Sequence, residues 1–89
     1  MTTRKELETI KKKVLTALNS VSVEGHKIGI KTMKDTDILF LVSDVRIIVE
    51  TFFLDITDKD FIIHLLISYE DIIEISDRNT YEILYEKVD

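Results

Sequence analysis

The feature that most constrains this chain is a set of three apolar segments between residues 37 and 68, DILFLVSDVRIIVETFFLDITDKDFIIHLLIS. A strand with one face in water alternates apolar and polar residues, whereas these segments are apolar at most positions. Each segment is also far too short to cross a bilayer. The pattern therefore predicts short strands that bury one face in a core and carry an apolar second face as well.

Ahead of these segments, the sequence predicts one amphipathic helix over residues 3–20. Thr3 and Glu6 have the spacing of a capping box, in which a hydroxyl and a carboxylate satisfy the free amides at a helix start. Apolar residues then recur at three- and four-residue steps and form one stripe: Leu7, Ile10, Val14, Ala17, Leu18 and Val21. After Gly25 the period changes to two, which predicts strands at about 26–32, 37–42, 45–54, 61–68 and 72–76.

Two polar stretches are predicted as turns: Ser43-Asp44, as a hairpin connection, and the segment from Ile56 to Asp60. The C-terminal part, about 80–88, fits either a strand or a helix. A helical stripe would contain Tyr81, Leu84, Tyr85 and Val88. The stretch IIEIS-DRNT-YEILY instead suggests a hairpin around a polar turn, and its Ile, Tyr and Thr residues favour the hairpin.

These elements predict an α+β fold in a single domain, residues 1–89. We expect the N-terminal helix to pack on an antiparallel meander sheet of five or six strands, spanning about 26–76, that is either open or curled into a small open barrel.

A pairing of Val42 with Val45 across the predicted hairpin determines which side chains share a face. One face then includes Phe40 and Ile47, which we expect to be fully buried beneath the helix. The second face is also largely apolar and is interrupted by three charged or titratable groups. Its ten residues are Leu39, Leu41, Arg46, Ile48, Glu50, Phe52, Leu54, Ile62, His64 and Leu66.

This second face is larger than the roughly few hundred Å² of contiguous apolar surface that a monomer normally exposes. We expect it to be covered by a second copy of the chain, by closure of the sheet into a barrel, or by a different protein. A homodimer through the sheet is the favoured alternative, because the chain has an antiparallel sheet with only one long helix. Phe52 is predicted to lie near the centre of this interface, since it would be mid-strand.

Charge is distributed unevenly along the chain. The net charge is −5, yet residues 1–13 hold five basic and two acidic side chains. An acidic surface repels phosphate, so nucleic acid is a disfavoured partner. If it bound at all, the contacts would come from the helix: Arg4, Lys5, Lys11, Lys12 and Lys13.

Several familiar kinds of site are not predicted. Without cysteine there is no disulfide framework or thiolate metal site, and two glycines exclude Gly-rich phosphate loops. The charged N-terminus lacks the apolar segment of a secretory signal, so we expect a cytoplasmic protein with no membrane segment. The acidic stretch DITDKD lacks the residue order of a calcium loop and is interpreted as a solvated turn, and His26 as a surface residue. No cofactor or metal is expected.

The predicted faces bring Glu50 and His64 together on neighbouring strands. A carboxylate can orient an imidazole as a general base, but no nucleophile accompanies this pair. Pairing of polar groups at an interface, with pH sensitivity through His64, is the favoured interpretation.

The stretch HLLISYEDIIEIS resembles the closing strands of Sm-like and other small SH3-like barrels, in which an apolar strand bends at an acidic turn. The resemblance is one of pattern over about half of the chain, and it implies a helix followed by a small barrel. The acidic surface argues against the RNA-binding role of Sm proteins.

Together these patterns predict a small acidic, non-enzymatic protein-binding or regulatory domain that acts through an apolar sheet face. An inhibitor, an immunity-type protein or an assembly subunit would fit this description. The alternative is an Sm-like or SH3-like barrel module associated with nucleic acid through its basic N-terminal helix.

Overall fold

The computed structural model describes residues 3–20, 25–34, 36–60 and 64–87. Within these ranges the chain forms one helix, seven strands and two short 3₁₀ turns. The elements are α1 (Arg4–Ser20), β1 (Lys27–Thr32), β2 (Asp37–Leu41), the turn Val42–Asp44, β3 (Val45–Val49), β4 (Phe53–Asp58), β5 (His64–Ser68), the turn Tyr69–Asp71, β6 (Ile72–Asp77) and β7 (Glu82–Glu86).

The strands divide into two antiparallel sheets, with strand orders β2-β1-β6-β7 and β3-β4-β5. Each 3₁₀ turn carries the chain from one sheet to the other. The predicted α+β class is confirmed, with the strands shared between two sheets and with β1 paired to the distant β6. Among the described residues, no strand pairing joins the two sheets into a closed barrel.

Helix α1 begins where the sequence predicts. The Thr3 hydroxyl oxygen accepts the Glu6 amide at 3.1 Å, which satisfies one of the free donors at the helix start. The stripe contributes Leu7, Val14, Ala17 and Leu18 to the core, while Val21 lies outside the described residues. The helix packs mainly on β6, β7 and the Tyr69–Asp71 turn.

This helix position corrects the predicted core. Phe40 and Ile47 were expected to be fully buried beneath the helix, and this is wrong: both are partly buried at the margin of the core. The helix packs on the C-terminal strands instead, so it covers less of β2 and β3. Among the described residues, the largest fully buried side chains are those of Val14, Ile28, Ile30, Leu54, Thr57, Tyr69, Ile72 and Ile75.

The predicted hairpin at Ser43-Asp44 is wrong. β2 pairs with β1, β3 pairs with β4, and residues 42–44 form a 3₁₀ turn between the two sheets. Two-residue hairpin loops usually need a positive φ, which Gly or Asn supplies. Ser and Asp fit the ordinary helical dihedral angles of a 3₁₀ turn, so the chain changes sheet here rather than reversing.

The predicted strand 45–54 is interrupted by a tight reversal at Thr51 and Phe52, where the Glu50 amide donates to the Phe53 carbonyl at 3.0 Å. The predicted turn from Ile56 to Asp60 is wrong in consequence, because β4 continues to Asp58. No Gly, Asn or Pro marks the reversal. It is held from outside by Tyr69, whose hydroxyl donates to the Glu50 carbonyl at 2.6 Å.

The C-terminal segment resolves the choice that the sequence leaves open. Residues 82–86 form β7, which pairs with β6 around a polar turn, so the hairpin is confirmed. The Asp77 carboxylate accepts the amides of Asn79 at 2.9 Å and Thr80 at 3.3 Å, which fixes the start of the turn. Tyr81 completes the turn with a φ of 63°.

Candidate protein-binding surface

The three-stranded sheet presents one face to the core and the other to solvent. Its core side carries Leu54, Ile56 and Ile67, which are buried. Alternate residues point the other way and align in two three-residue rows across the strands, Ile48–Asp55–Leu66 and Arg46–Thr57–His64, beside the pair Phe53–Ser68. Thr57, in the middle of its row, is itself fully buried. We call the side that carries these two rows the outer face.

The outer face keeps large apolar side chains in water. Leu66 is 60% exposed and Ile48 is 37% exposed, at opposite ends of one row. β5 is unusual because Leu65, on its other side, is exposed as well. A strand that shows apolar side chains on both sides is incompletely covered by its own chain.

Asp55 and His64 form a polar pair on this apolar surface. The His64 Nδ1 atom lies 3.2 Å from Asp55 Oδ1, and the Asp55 side chain is only 16% exposed. The carboxylate lies between Ile48 and Leu66 in the row, so the imidazole provides it with a partner in a poorly hydrated position. When His64 is protonated, the contact is an ion pair.

The prediction that Glu50 pairs with His64 is therefore wrong. Glu50 stands at the start of the β3–β4 reversal, where its carbonyl accepts the Tyr69 hydroxyl. The reversal places Asp55 on the strand beside β5, and Asp55 takes the role assigned to Glu50. The sequence contained a signal, because Asp55 alternates with Leu54 and Ile56, but we interpreted it as part of a turn.

The reversal also changes the positions of two apolar residues. Leu54 was expected on the second face and is instead completely buried in the core, opposite Val49. Phe52 was expected at the centre of that face, mid-strand, and lies in the reversal itself. It is 62% exposed and borders a groove beside the start of the helix, together with Arg4 and Leu7.

The remaining predicted residues belong to different surfaces. Leu39 and Leu41 lie on β2, in the four-stranded sheet, with Leu39 opposite Gly29. Ile62 lies outside the described residues. The structure thus places together Arg46, Ile48, His64 and Leu66, and adds Asp55 and Thr57 to them.

Arg78 lies over the middle of the solvent side of the four-stranded sheet, between the exposed side chains of Leu39 and Ile83. Its guanidinium donates to both Asp37 carboxylate oxygens, at 2.6 and 3.0 Å, and its Nε donates to the Ser76 hydroxyl at 2.8 Å. The side chain lies so close over Gly29 that a Cβ at that position would collide with it. No sequence spacing indicated this bridge, because its ends are separated by 41 residues.

A second histidine–carboxylate pair joins the start of β1 to the β6–β7 turn. His26 Nδ1 lies 2.7 Å from Asp77 Oδ2, and the two side chains are 24% and 10% exposed. The hydrogen bond from His26 lowers the pKa of the Asp77 carboxyl, helped by the amides of Asn79 and Thr80. Sequence reasoning placed His26 at the surface without this partner.

The basic residues of the helix form a separate surface. Arg4, Lys5, Lys12 and Lys13 are exposed, and Lys11 is partly buried. In the part of the chain that is described, no group of three or more His, Cys, Asp or Glu side chains could hold a metal ion. No helix there is both long and apolar enough to cross a membrane.

Comparison of this chain with protein-family models, with curated proteins and with solved structures finds no match. The residues of the surface are therefore interpreted from their own geometry and chemistry.

Proposed function

We propose that this chain is a non-enzymatic protein-binding domain that docks through the outer face of the β3–β4–β5 sheet, with a second copy of itself as the partner. The observation that carries the proposal is the row Ile48–Asp55–Leu66, which places exposed apolar side chains on both sides of a poorly hydrated carboxylate. Apolar area supplies the driving force for association, and polar groups inside it select one geometry.

The composition of the outer face suits association of two identical copies. The chain as a whole has a net charge of −5, so two copies repel each other over most of their surfaces. In the two rows of the outer face Arg46 and His64 accompany the carboxylate of Asp55, and the exposed Glu50 follows at the end of β3. Two such faces can approach without the repulsion that acidic surfaces would produce. A domain of this kind could act as an assembly subunit, or as an inhibitor when its target presents a similar face.

The test is the oligomeric state of the purified chain, measured by light scattering from low to high micromolar concentration. The wild type should be a dimer at the upper end. Leu66→Glu should be monomeric throughout, because it places a charge where the interface would desolvate it without a partner. Its circular dichroism should be unchanged, since Leu66 is already exposed.

Ile83→Glu is the matched control. Ile83 is 53% exposed on β7, close to the 60% of Leu66, but belongs to the other sheet. This variant should remain dimeric. A wild type that is monomeric at high micromolar concentration would overturn the proposal, as would equal dissociation of both variants, since the outer face would then have no special role.

A further inference from the structure

β5 is an edge strand, and its composition is unusual for one. Among the described strands it has β4 on one side and no partner on the other. Proteins normally protect a free edge with charged residues, proline or a bulge, because its unpaired amides and carbonyls can bind another strand. The sequence of β5, HLLIS, contains no Asp, Glu, Lys, Arg, Pro or Gly.

The other free edges are different. β2 carries Asp37, β3 carries Arg46, and β7 carries Glu82 and Glu86. Symmetric pairing of β7 with its own copy would set Glu82 opposite Glu86 at both ends, and like charges that face each other across strands are destabilising. Of the four edges formed by the described strands, β5 alone can meet its own copy without Asp, Glu, Lys or Arg on either strand.

We infer that β5 of one copy pairs antiparallel with β5 of a second copy and joins the two three-stranded sheets into one of six strands. This inference rests on the proposed function and narrows it: the two copies meet side by side along the β5 border of the outer face, at Leu66, while Ile48 stays outside the contact. Antiparallel pairing keeps outward residues beside outward residues. The sum of two paired residue numbers, which defines the register, can therefore change only in steps of two. Pairing of all five residues requires the two-fold axis at the middle residue, Leu66.

This register accounts for both exposed leucines of β5. Leu66 meets Leu66 of the second copy on the outer face, and Leu65 meets Ile67 on the other side of the sheet. A groove lies beside the strand. Leu65 and Ile67 line one side of it, and Lys34 and Thr36 of the β1–β2 turn line the other side. The edge therefore has open space next to it, which the second strand would enter.

The absence of cysteine from the chain allows a direct test by single-cysteine crosslinking. Residues directly opposite in an antiparallel pair have Cα atoms about 4.5–5.5 Å apart, within the range of a disulfide. Leu66→Cys should therefore give a disulfide-linked dimer in mild oxidant. Ile48→Cys should not, because five strand spacings, about 24 Å, would separate the two copies of residue 48.

Amide hydrogen exchange gives a second readout that needs no substitution. Edge pairing should slow exchange of the β5 amides that point away from β4, and this protection should rise with protein concentration. Linked dimers of Leu66→Cys, together with this protection, support the inference.

The possible failures are distinguishable. A wild-type dimer in which Ile48→Cys crosslinks, or in which neither variant does, would overturn edge pairing and leave the proposed function standing, since the copies would then meet by packing face against face. A wild type that is monomeric at every concentration would overturn both proposals.

Discussion

The two sheets of this chain both expose apolar side chains to solvent, Leu39 and Ile83 on one and Leu66 and Ile48 on the other, but they differ at the middle of their solvent sides. On the four-stranded sheet, Arg78 lies across Gly29 and is held by Asp37 and Ser76, so a charged side chain covers the backbone of the central strands. On the three-stranded sheet Leu66, at the end of its row, remains mostly in water.

The difference shows that the residues of the predicted apolar second face are divided between the solvent sides of two separate sheets. A glycine in β1 leaves room for a long side chain from the neighbouring turn, and the arginine satisfies its own hydrogen bonds while it covers the sheet. On the outer face of β3–β4–β5, Leu66 and Ile48 keep their side chains exposed at the two ends of one row. A surface that its own chain leaves uncovered is the natural candidate for a partner.

The largest expected effect separates the two sides of the three-stranded sheet. Leu54→Ala should lower the free energy of unfolding by about 2–5 kcal/mol, because it leaves a cavity in the core. Ile48→Ala, on the outer face, should cost less than about 1 kcal/mol in the monomer, since the side chain is already partly hydrated. Urea denaturation at low protein concentration measures both. Equal losses would mean that the inner and outer sides of this sheet are assigned incorrectly.

The sequence alone predicts the elements whose signals come from residues close together in the chain. The helix and the C-terminal hairpin follow from periodicity and capping, which depend on neighbouring residues. The same holds for the assignment of Phe40 and Ile47 to the inner side of their strands and of Ile48 to the outer side. These patterns establish the α+β class without reference to tertiary contacts.

The errors along β3, β4 and β5 share one physical cause, which is a turn that a distant residue holds in place. The reversal at Thr51 and Phe52 lacks turn residues and is held by Tyr69, whose position in the fold no local pattern specifies. Because side chains alternate along a strand, one missed turn moved Leu54 to the wrong side and gave His64 the wrong partner. Both histidine–carboxylate pairs also depend on long-range strand pairing.

A smaller effect tests the cover on the four-stranded sheet. Arg78→Ala should cost about 1 kcal/mol of unfolding free energy, because the bidentate pair with Asp37 is partly exposed and solvent weakens it. Gly29→Ala should cost a similar amount, since the new Cβ would displace the guanidinium.

The double variant Gly29→Ala/Arg78→Ala makes the test specific. If Gly29 is required only to accommodate Arg78, the double variant should be no less stable than Arg78→Ala alone, a strongly non-additive result. Lys31→Ala is the control, because Lys31 is half exposed and its contact with Glu74 is 4.0 Å long. Simple additivity of the two substitutions would show that Arg78 does not cover Gly29 in solution.

The smallest expected effect concerns the histidine–carboxylate pair of the four-stranded sheet, His26 and Asp77, and it appears as a dependence on pH. The hydrogen bond from His26 lowers the pKa of Asp77 below its ordinary value of 3.8 in the folded protein. The ionised carboxylate therefore favours the folded state. This stabilisation is fully present above the pKa of the unfolded chain, and it is lost as the pH falls through the lower pKa of the folded state.

Asp77→Asn should consequently lower the urea midpoint at neutral pH, and the deficit relative to the wild type should shrink as the pH is brought below the ordinary value. His26→Gln removes the main cause of the lowered pKa, so the loss of stability in acid should begin at a higher pH than in the wild type. Glu82→Gln, at an exposed carboxylate on the next strand, serves as the control and should not reproduce this change of slope. A deficit of Asp77→Asn that is the same in acid and at neutral pH would show that the carboxylate acts only as a neutral acceptor for the turn amides, and that the β1 end of the four-stranded sheet is not held by a charge-dependent contact.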